Sequence, residues 1–348
     1  MASSTGSKLR DENEGVTVFF TLQKRIRASK HGCVASVVSA ALVLACGRNV
    51  SLAIQKPSLS LRSVNSTAGR DENIALLQAL LLRSQWAEAE KLATVMVKKN
   101  PSNPIPYYGL GIARWRMDDP VGTIRALRRA EGLGLNSDNL HKLLGLAYYR
   151  LHQFFLFKLE MNRALQVDPN DYEAYYSLGR YSISNDNNYT GALSFLRKAV
   201  ELKPDFTRGI YYLGYCEERL GHDREAQTDY ERAIALAKSS HNKFSLPFQG
   251  MARLLLWSNA KEAAHFAQMA VQREPQVDSN HFVLAQADEQ LGQLPEAAQE
   301  LLTAVRLNPT KSSYHYVLFK LYSRMGKDSE AQGQLREVEK LNALYNPD

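Results

Sequence analysis

Histidine, cysteine and paired acids are the side chains that most often do chemistry, and here their spacing argues against it. The eight histidines are scattered, and the chain has no HExxH, CxxC, glycine-rich phosphate loop or GxSxG elbow. His281 and His315 look like a metal pair only because they stand 34 residues apart; both read as replacements for an aromatic at the start of a helix. Glu217-Glu218 and Asp118-Asp119 are adjacent, so each pair diverges by about 100° on a helix and reads as solvated. Cys216 follows Gly214 by two residues with no base indicated, which predicts a packed thiol rather than a nucleophile. No catalytic residue, metal or cofactor is expected, and the chain reads as a non-enzyme. A cryptic hydrolase, or an accessory subunit of one, is the alternative from another class.

Tyrosine, tryptophan and arginine are left as the residues with something to offer a partner, and helices must position them. In residues 175–204, Tyr175, Leu178, Gly179 and Ser182 fall on one helical face. Ser184-Asn185-Asp186-Asn187-Asn188 then breaks the chain, and Ala192, Leu196 and Ala199 share one face of a second helix that Pro204 stops. Glycine and alanine at the contact points let two antiparallel helices approach closely.

The same device recurs. Pro101, Pro169, Pro204, Pro275 and Pro309 lie 34 residues apart or close to multiples of 34. Leu110-Gly111, Leu144-Gly145, Leu178-Gly179 and Leu213-Gly214 mark the first helices, and Ala192/Ala199, Ala226/Ala233, Ala263/Ala270 and Ala297/Ala304 the second. One extra residue is expected in the turn before Tyr189, and three in the joint around His241, Asn242 and Lys243. Leu77, Thr123 and Met251 depart from the pattern in copies one, two and six. From Ser329, the stripe Ala331, Leu335, Val338 and Leu341 predicts a capping helix with a wet outer side.

A 34-residue helix-turn-helix with these marks resembles the tetratricopeptide repeat family, over about eight copies in residues 70–345. The resemblance implies an all-α, right-handed superhelical solenoid of helix-turn-helix repeats. It also implies that first helices line a concave groove binding a protein or peptide. The groove positions carry Tyr108, Lys142, Tyr176, Tyr211, Phe248, Phe282 and Tyr316. Further rows hold Arg180, Tyr215 and Lys320, and Trp115, Arg116, Tyr149, Arg150, Arg219 and Arg324. Such residues anchor partners because they combine area, few rotors and a polar handle; packing between neighbouring first helices is the other reading of the rings. Arg150, Arg180, Arg208 and Arg219 amid tyrosines suit an extended peptide with carboxylates or a helix with an acidic rim. The Lys/Asn clamp of chaperone-binding members is absent apart from Asn139 and Lys142.

The formal charge of +7 and a pI near 9.1 invite a nucleic-acid reading. Residues 1–70, however, hold ten Lys or Arg against three acids, so the remainder is neutral and nucleic acid is not an expected partner. In residues 1–53, Lys24, Arg25, Arg27 and Lys30 precede an uncharged stretch too short for a span of about 20 residues. That order predicts an export signal, cleaved near Ala45 or Ala53, or a retained membrane anchor. Ala45-Cys46 also resembles a lipoprotein box, so lipidation at Cys46 and an envelope assembly lipoprotein form an alternative. The residues before Lys24 lengthen the leader beyond the usual, which either a misassigned start or a retained anchor explains. A Ser-rich linker is expected over 54–69. The localisation expected is the periplasm or cell envelope.

Overall fold

The computed structural model describes residues 72–239 and 243–345. The expected leader, Cys46, the linker and His241-Asn242 lie outside the described residues. Sixteen helices follow one another, with no strand among the described residues. They are α1 (Glu72–Leu82), α2 (Trp86–Lys99), α3 (Pro104–Arg116), α4 (Pro120–Gly132), α5 (Asp138–Arg150), α6 (Phe154–Val167), α7 (Tyr172–Ser184) and α8 (Tyr189–Leu202). Then come α9 (Thr207–Arg219), α10 (Asp223–Ser239), α11 (Leu246–Leu255), α12 (Ala260–Arg273), α13 (Asp278–Gln290), α14 (Leu294–Leu307), α15 (Ser312–Arg324) and α16 (Asp328–Tyr345). Odd-numbered helices are the first helices of eight hairpins and even-numbered ones the second.

Each hairpin starts and stops for local reasons. Asn103, Asp171, Asn188 and Asn259 cap helix starts by accepting from backbone N–H groups two or three residues on. Second helices end at the residue before proline, where Asp168, Lys203, Glu274 and Asn308 donate back to the carbonyls of Ala164, Ala199, Ala270 and Ala304. The turn inside the hairpin carries a signal that the sequence reading missed. Ser84, Asp118, His152, Asn187, Gly221, Gly292 and Gly326 all take positive φ, at intervals of 34 or close to its multiples. Glycine enters this left-handed region freely, whereas the four side-chain-bearing residues are held there against a preference of about 1 kcal/mol.

The contacts divide the chain into two compact units, with the boundary inside α4. The first comprises the described residues up to Ala126 together with Arg150–His152. Here Ala89, Ala93 and Ala113 are fully buried. Bulky Leu77 belongs to the packing: it lies where a Cβ on Gly109 would come within 2.7 Å of it. Thr123, also fully buried, is satisfied by the Asp119 carbonyl at 2.8 Å.

The second unit comprises Leu127–Tyr149 and the described residues from Gln153 onward. All eight of the paired alanines from Ala192 to Ala304 are fully buried. Gly145, Gly179 and Gly214 receive atoms of their own second helices, from Met161, Leu196 and Ala226 with Asp229 and Tyr230 respectively. Gly250 differs, because the Tyr230 ring of the preceding hairpin lies against it. The turn before Tyr189 holds the expected extra residue. Farther on, α10 has 17 residues against 14 in α8 and α12, and the polar joint expected to hold three extra residues lies partly outside the described residues. Ala331 and Leu341 of α16 are buried, with Leu335 and Val338 partly so.

Candidate functional site

Within the second unit, first helices α7, α9 and α11 bring aromatic rings and guanidinium groups together. Arg180 lies over Tyr212 at 4.7 Å and over Tyr176 at 5.9 Å. Arg208 lies over Phe244 at 5.5 Å, Arg253 over Tyr215 at 5.3 Å, and Arg219 over Tyr189 at 5.4 Å. Such cation–π contacts contribute about 0.5–1 kcal/mol at exposed sites and more when desolvated. The field thus holds its cations in fixed planes while Tyr212 and Tyr215 stay half-buried.

The expected groove residues separate into three groups. Tyr108, Tyr176, Tyr211 and Phe248 are buried, Phe248 completely, which corrects the expectation that their rings open onto a groove. Tyr211 stacks on Tyr230 at 5.8 Å and meets Phe244 edge-on; burial, opposed by Arg253, pushes its phenol up to about 12. Phe282 is half-buried and stacks on Tyr314 at 4.8 Å. The physical reason is reach: Tyr176 and Phe282 extend to Tyr212 and Tyr314 of the next first helix, and Tyr211 to Tyr230 of its own second helix. Tyr149 packs edge-on against Phe157 at 5.3 Å.

A second group is charged and already neutralised. Lys142 lies 2.8 Å from Asp171 and 2.9 Å from Glu173. In the first unit, Arg150 pairs with Asp118 and covers Trp115 at 5.1 Å. The third group remains open: Tyr316 is 49% exposed, and Arg116 and Arg219 are exposed as well.

Sequence reading missed Tyr212, Phe206, Phe244 and the Glu218–Arg253 pair. Arg253 reaches Glu218 with two hydrogen bonds of 2.5 and 2.6 Å, and Tyr230 donates to the same carboxylate at 2.6 Å. An acid and a base 35 residues apart, one repeat on successive first helices, was the available signal. The expectation that Glu217-Glu218 is solvated is wrong: Glu217 is buried between Arg197 and His222, because the Arg197 guanidinium and a hydrogen bond with His222 replace its water.

Three of the histidines are structural bridges. His281 places Nδ1 2.6 Å from Glu300 and Nε2 2.9 Å from the Pro275 carbonyl. His315 repeats this with Gln334 and Pro309, and His141 with Glu160 and Asn136. Each ring ties a first helix to the residue 19 positions on and to the connector before it. Among the described residues no three of His, Cys, Asp or Glu gather as metal ligands. Burial, with Glu217 adding, pushes the Cys216 thiol up to about 12, so it is not a thiolate at neutral pH.

Burial therefore predicts opposite outcomes for two tyrosines. Tyr211→Ala should destabilise by about 3 kcal/mol through the cavity it leaves. Tyr316→Ala should stay within about 0.5 kcal/mol of the parent. Urea denaturation of both variants checks this, and equal midpoints would contradict it.

Comparison with known proteins agrees with this architecture. The family model described as Tetratricopeptide repeat matches residues 172–206, which contain α7 and α8. The chain is 32% identical over 116 residues to Tetratricopeptide repeat protein 37 of Xenopus laevis, covering 33% of this chain and 7% of that protein. It is 31% identical over 104 residues to the Peroxisomal targeting signal receptor of Saccharomyces cerevisiae, covering 30% of this chain and 17% of the receptor. The matched segments thus span under a fifth of these relatives. In fold, the chain is similar to the solved APC/C hetero-tetramer Cut9-Hcn1, at a TM-score of 0.57, 15% identity, 81% of this chain and 55% of that one. Helix order, the recurrent small-residue contacts and these likenesses together support tetratricopeptide repeats in this chain, arranged as an all-α solenoid of helix-turn-helix units.

Proposed function

We propose that this protein is a non-enzymatic scaffold that binds a peptide or protein partner along the face presented by its first helices, and that it is exported or membrane-tethered. Tetratricopeptide repeats indicate a protein–protein interaction scaffold, and the yeast relative is by name a receptor for a targeting signal. The observation that carries the finer reading is the field of Arg180, Tyr212, Tyr215 and Arg208. Half-buried rings offer area at a small entropic loss, and guanidinium groups resting on rings give the face a positive character. The neutral charge of residues 71–348 supports a protein rather than a nucleic-acid partner.

Reversing the charge of this face tests the proposal. Full-length Arg180→Glu should keep its melting temperature within a few degrees while capture of the native partner weakens by about 30-fold, the loss of an interface hot spot worth about 2 kcal/mol. Undiminished capture would remove the face from the binding reading.

The export proposal rests on Lys24, Arg25, Arg27 and Lys30 ahead of an uncharged stretch, with Cys46 as the site of lipidation in the lipoprotein alternative. N-terminal sequencing and intact mass of protein from its native host should show loss of at least the first 45 residues. An intact anchor retained in the membrane fraction supports tethering instead. A soluble protein beginning at Met1 or Ala2 rules out both.

A further inference from the structure

Most of the cations expected to meet a partner already have one. Lys142 is held by Asp171 and Glu173, Arg150 by Asp118, Arg253 by Glu218 and Arg324 by Glu289. Two arginines stand apart from these. Arg116, the last residue of α3, lies over the ring of Trp86, the first residue of α2, at 5.3 Å. Arg219, the last residue of α9, lies over Tyr189, the first residue of α8, at 5.4 Å. In both cases the ring opens a second helix, the arginine ends the next first helix, and thirty residues separate them. The first pair lies within the first unit and the second within the second unit. Both arginines are exposed, and among the described residues neither forms an ion pair.

An exposed arginine without a partner is ordinarily a mobile chain, and fixing it costs side-chain entropy. Stacking on an aromatic face restrains the guanidinium plane in advance while its N–H groups remain available. Such a planar fork matches a carboxylate with two parallel hydrogen bonds, which a lysine ammonium does not reproduce. Although Arg116 is exposed, partial desolvation of its guanidinium with no anion to offset it lowers it below the usual value, the mark of a cation lacking a counter-charge. Arg150, stacked on Trp115 and closed by Asp118, shows the filled version of the same arrangement within this chain.

We propose that Arg116 on Trp86 and Arg219 on Tyr189 are preformed carboxylate seats, each receiving an aspartate or glutamate side chain from an acidic segment of the protein partner. This deepens the scaffold reading and rests on it, yet it is tested without the native partner. The probe is a fluorescently labelled hexaglutamate peptide titrated into the full-length protein, with hexalysine and a serine-phosphate peptide of equal length as separate arms. Hexaglutamate should bind, more weakly as salt rises, and hexalysine should not. Arg116→Ala with Arg219→Ala should weaken hexaglutamate at least tenfold at an unchanged melting temperature, and Arg116→Lys with Arg219→Lys at least threefold. Failure of the parent to bind hexaglutamate, equal binding by the double alanine variant, or preference for the phosphate peptide would overturn the proposal. Capture of the native partner that remains sensitive to Arg180→Glu would then leave the scaffold reading in place.

Discussion

The seating of a large side chain on a glycine of an adjoining helix is the contact on which the rest of this structure depends. No single helical hairpin buries its own apolar face, so each must be closed by a neighbour. Between hairpins, Tyr230 closes on Gly250 in one unit and Leu77 on Gly109 in the other, while within hairpins Leu196 closes on Gly179 and Met161 on Gly145. The Tyr230 contact is the most constrained. Its ring is fully buried and its hydroxyl is fixed by Glu218 at 2.6 Å and Arg253 at 3.2 Å. The same ring stacks on Tyr211, so a small residue at one position governs the placement of an aromatic at another.

That constraint also decides what remains for binding. Rings next to the packing stripe, such as Tyr211 and Phe248, are drawn into the core, while Tyr212 and Tyr215 stay half-buried and Tyr316 is exposed. Acids and bases brought together by stacking neutralise one another, as Glu218 and Arg253 do, and Glu217 with Arg197. Charge available to a partner is therefore much less than the number of arginines suggests. What is left among the described residues is selected by geometry: Arg116 and Arg219 rest on rings and form no ion pair.

Much of the fold was legible because prolines, glycines and alanines mark the points where backbone approaches backbone. Ala199 and Ala270 are fully buried, so a larger residue there would overpack the contact, and the type of residue reports the contact directly. The binding face was less legible, since periodicity places a residue only to within a sector of the helix. Tyr211 and Tyr212 are sequence neighbours, yet one is buried and the other half-buried, and the outcome depends on Tyr230 of the paired second helix and on Phe244 of the following connector. The solvated reading of Glu217-Glu218 missed for the same reason: their partners Arg197 and Arg253 lie 20 and 35 residues away. The left-handed turns at Ser84, Asp118, His152 and Asn187 were hidden because no glycine announces them.

Gly250→Ala isolates the central contact. A Cβ there would lie 2.7 Å from Cε1 and Cζ of the Tyr230 ring, closer than two carbons pack, and the buried, doubly hydrogen-bonded ring has no room to retreat. Alanine favours helix over glycine by about 1 kcal/mol, whereas overpacking a closed core costs about 1–3 kcal/mol. The measurement is urea denaturation of parent and variant side by side. A net loss of stability is the predicted result, and a variant as stable as the parent or more so would show that the ring is not seated on this glycine.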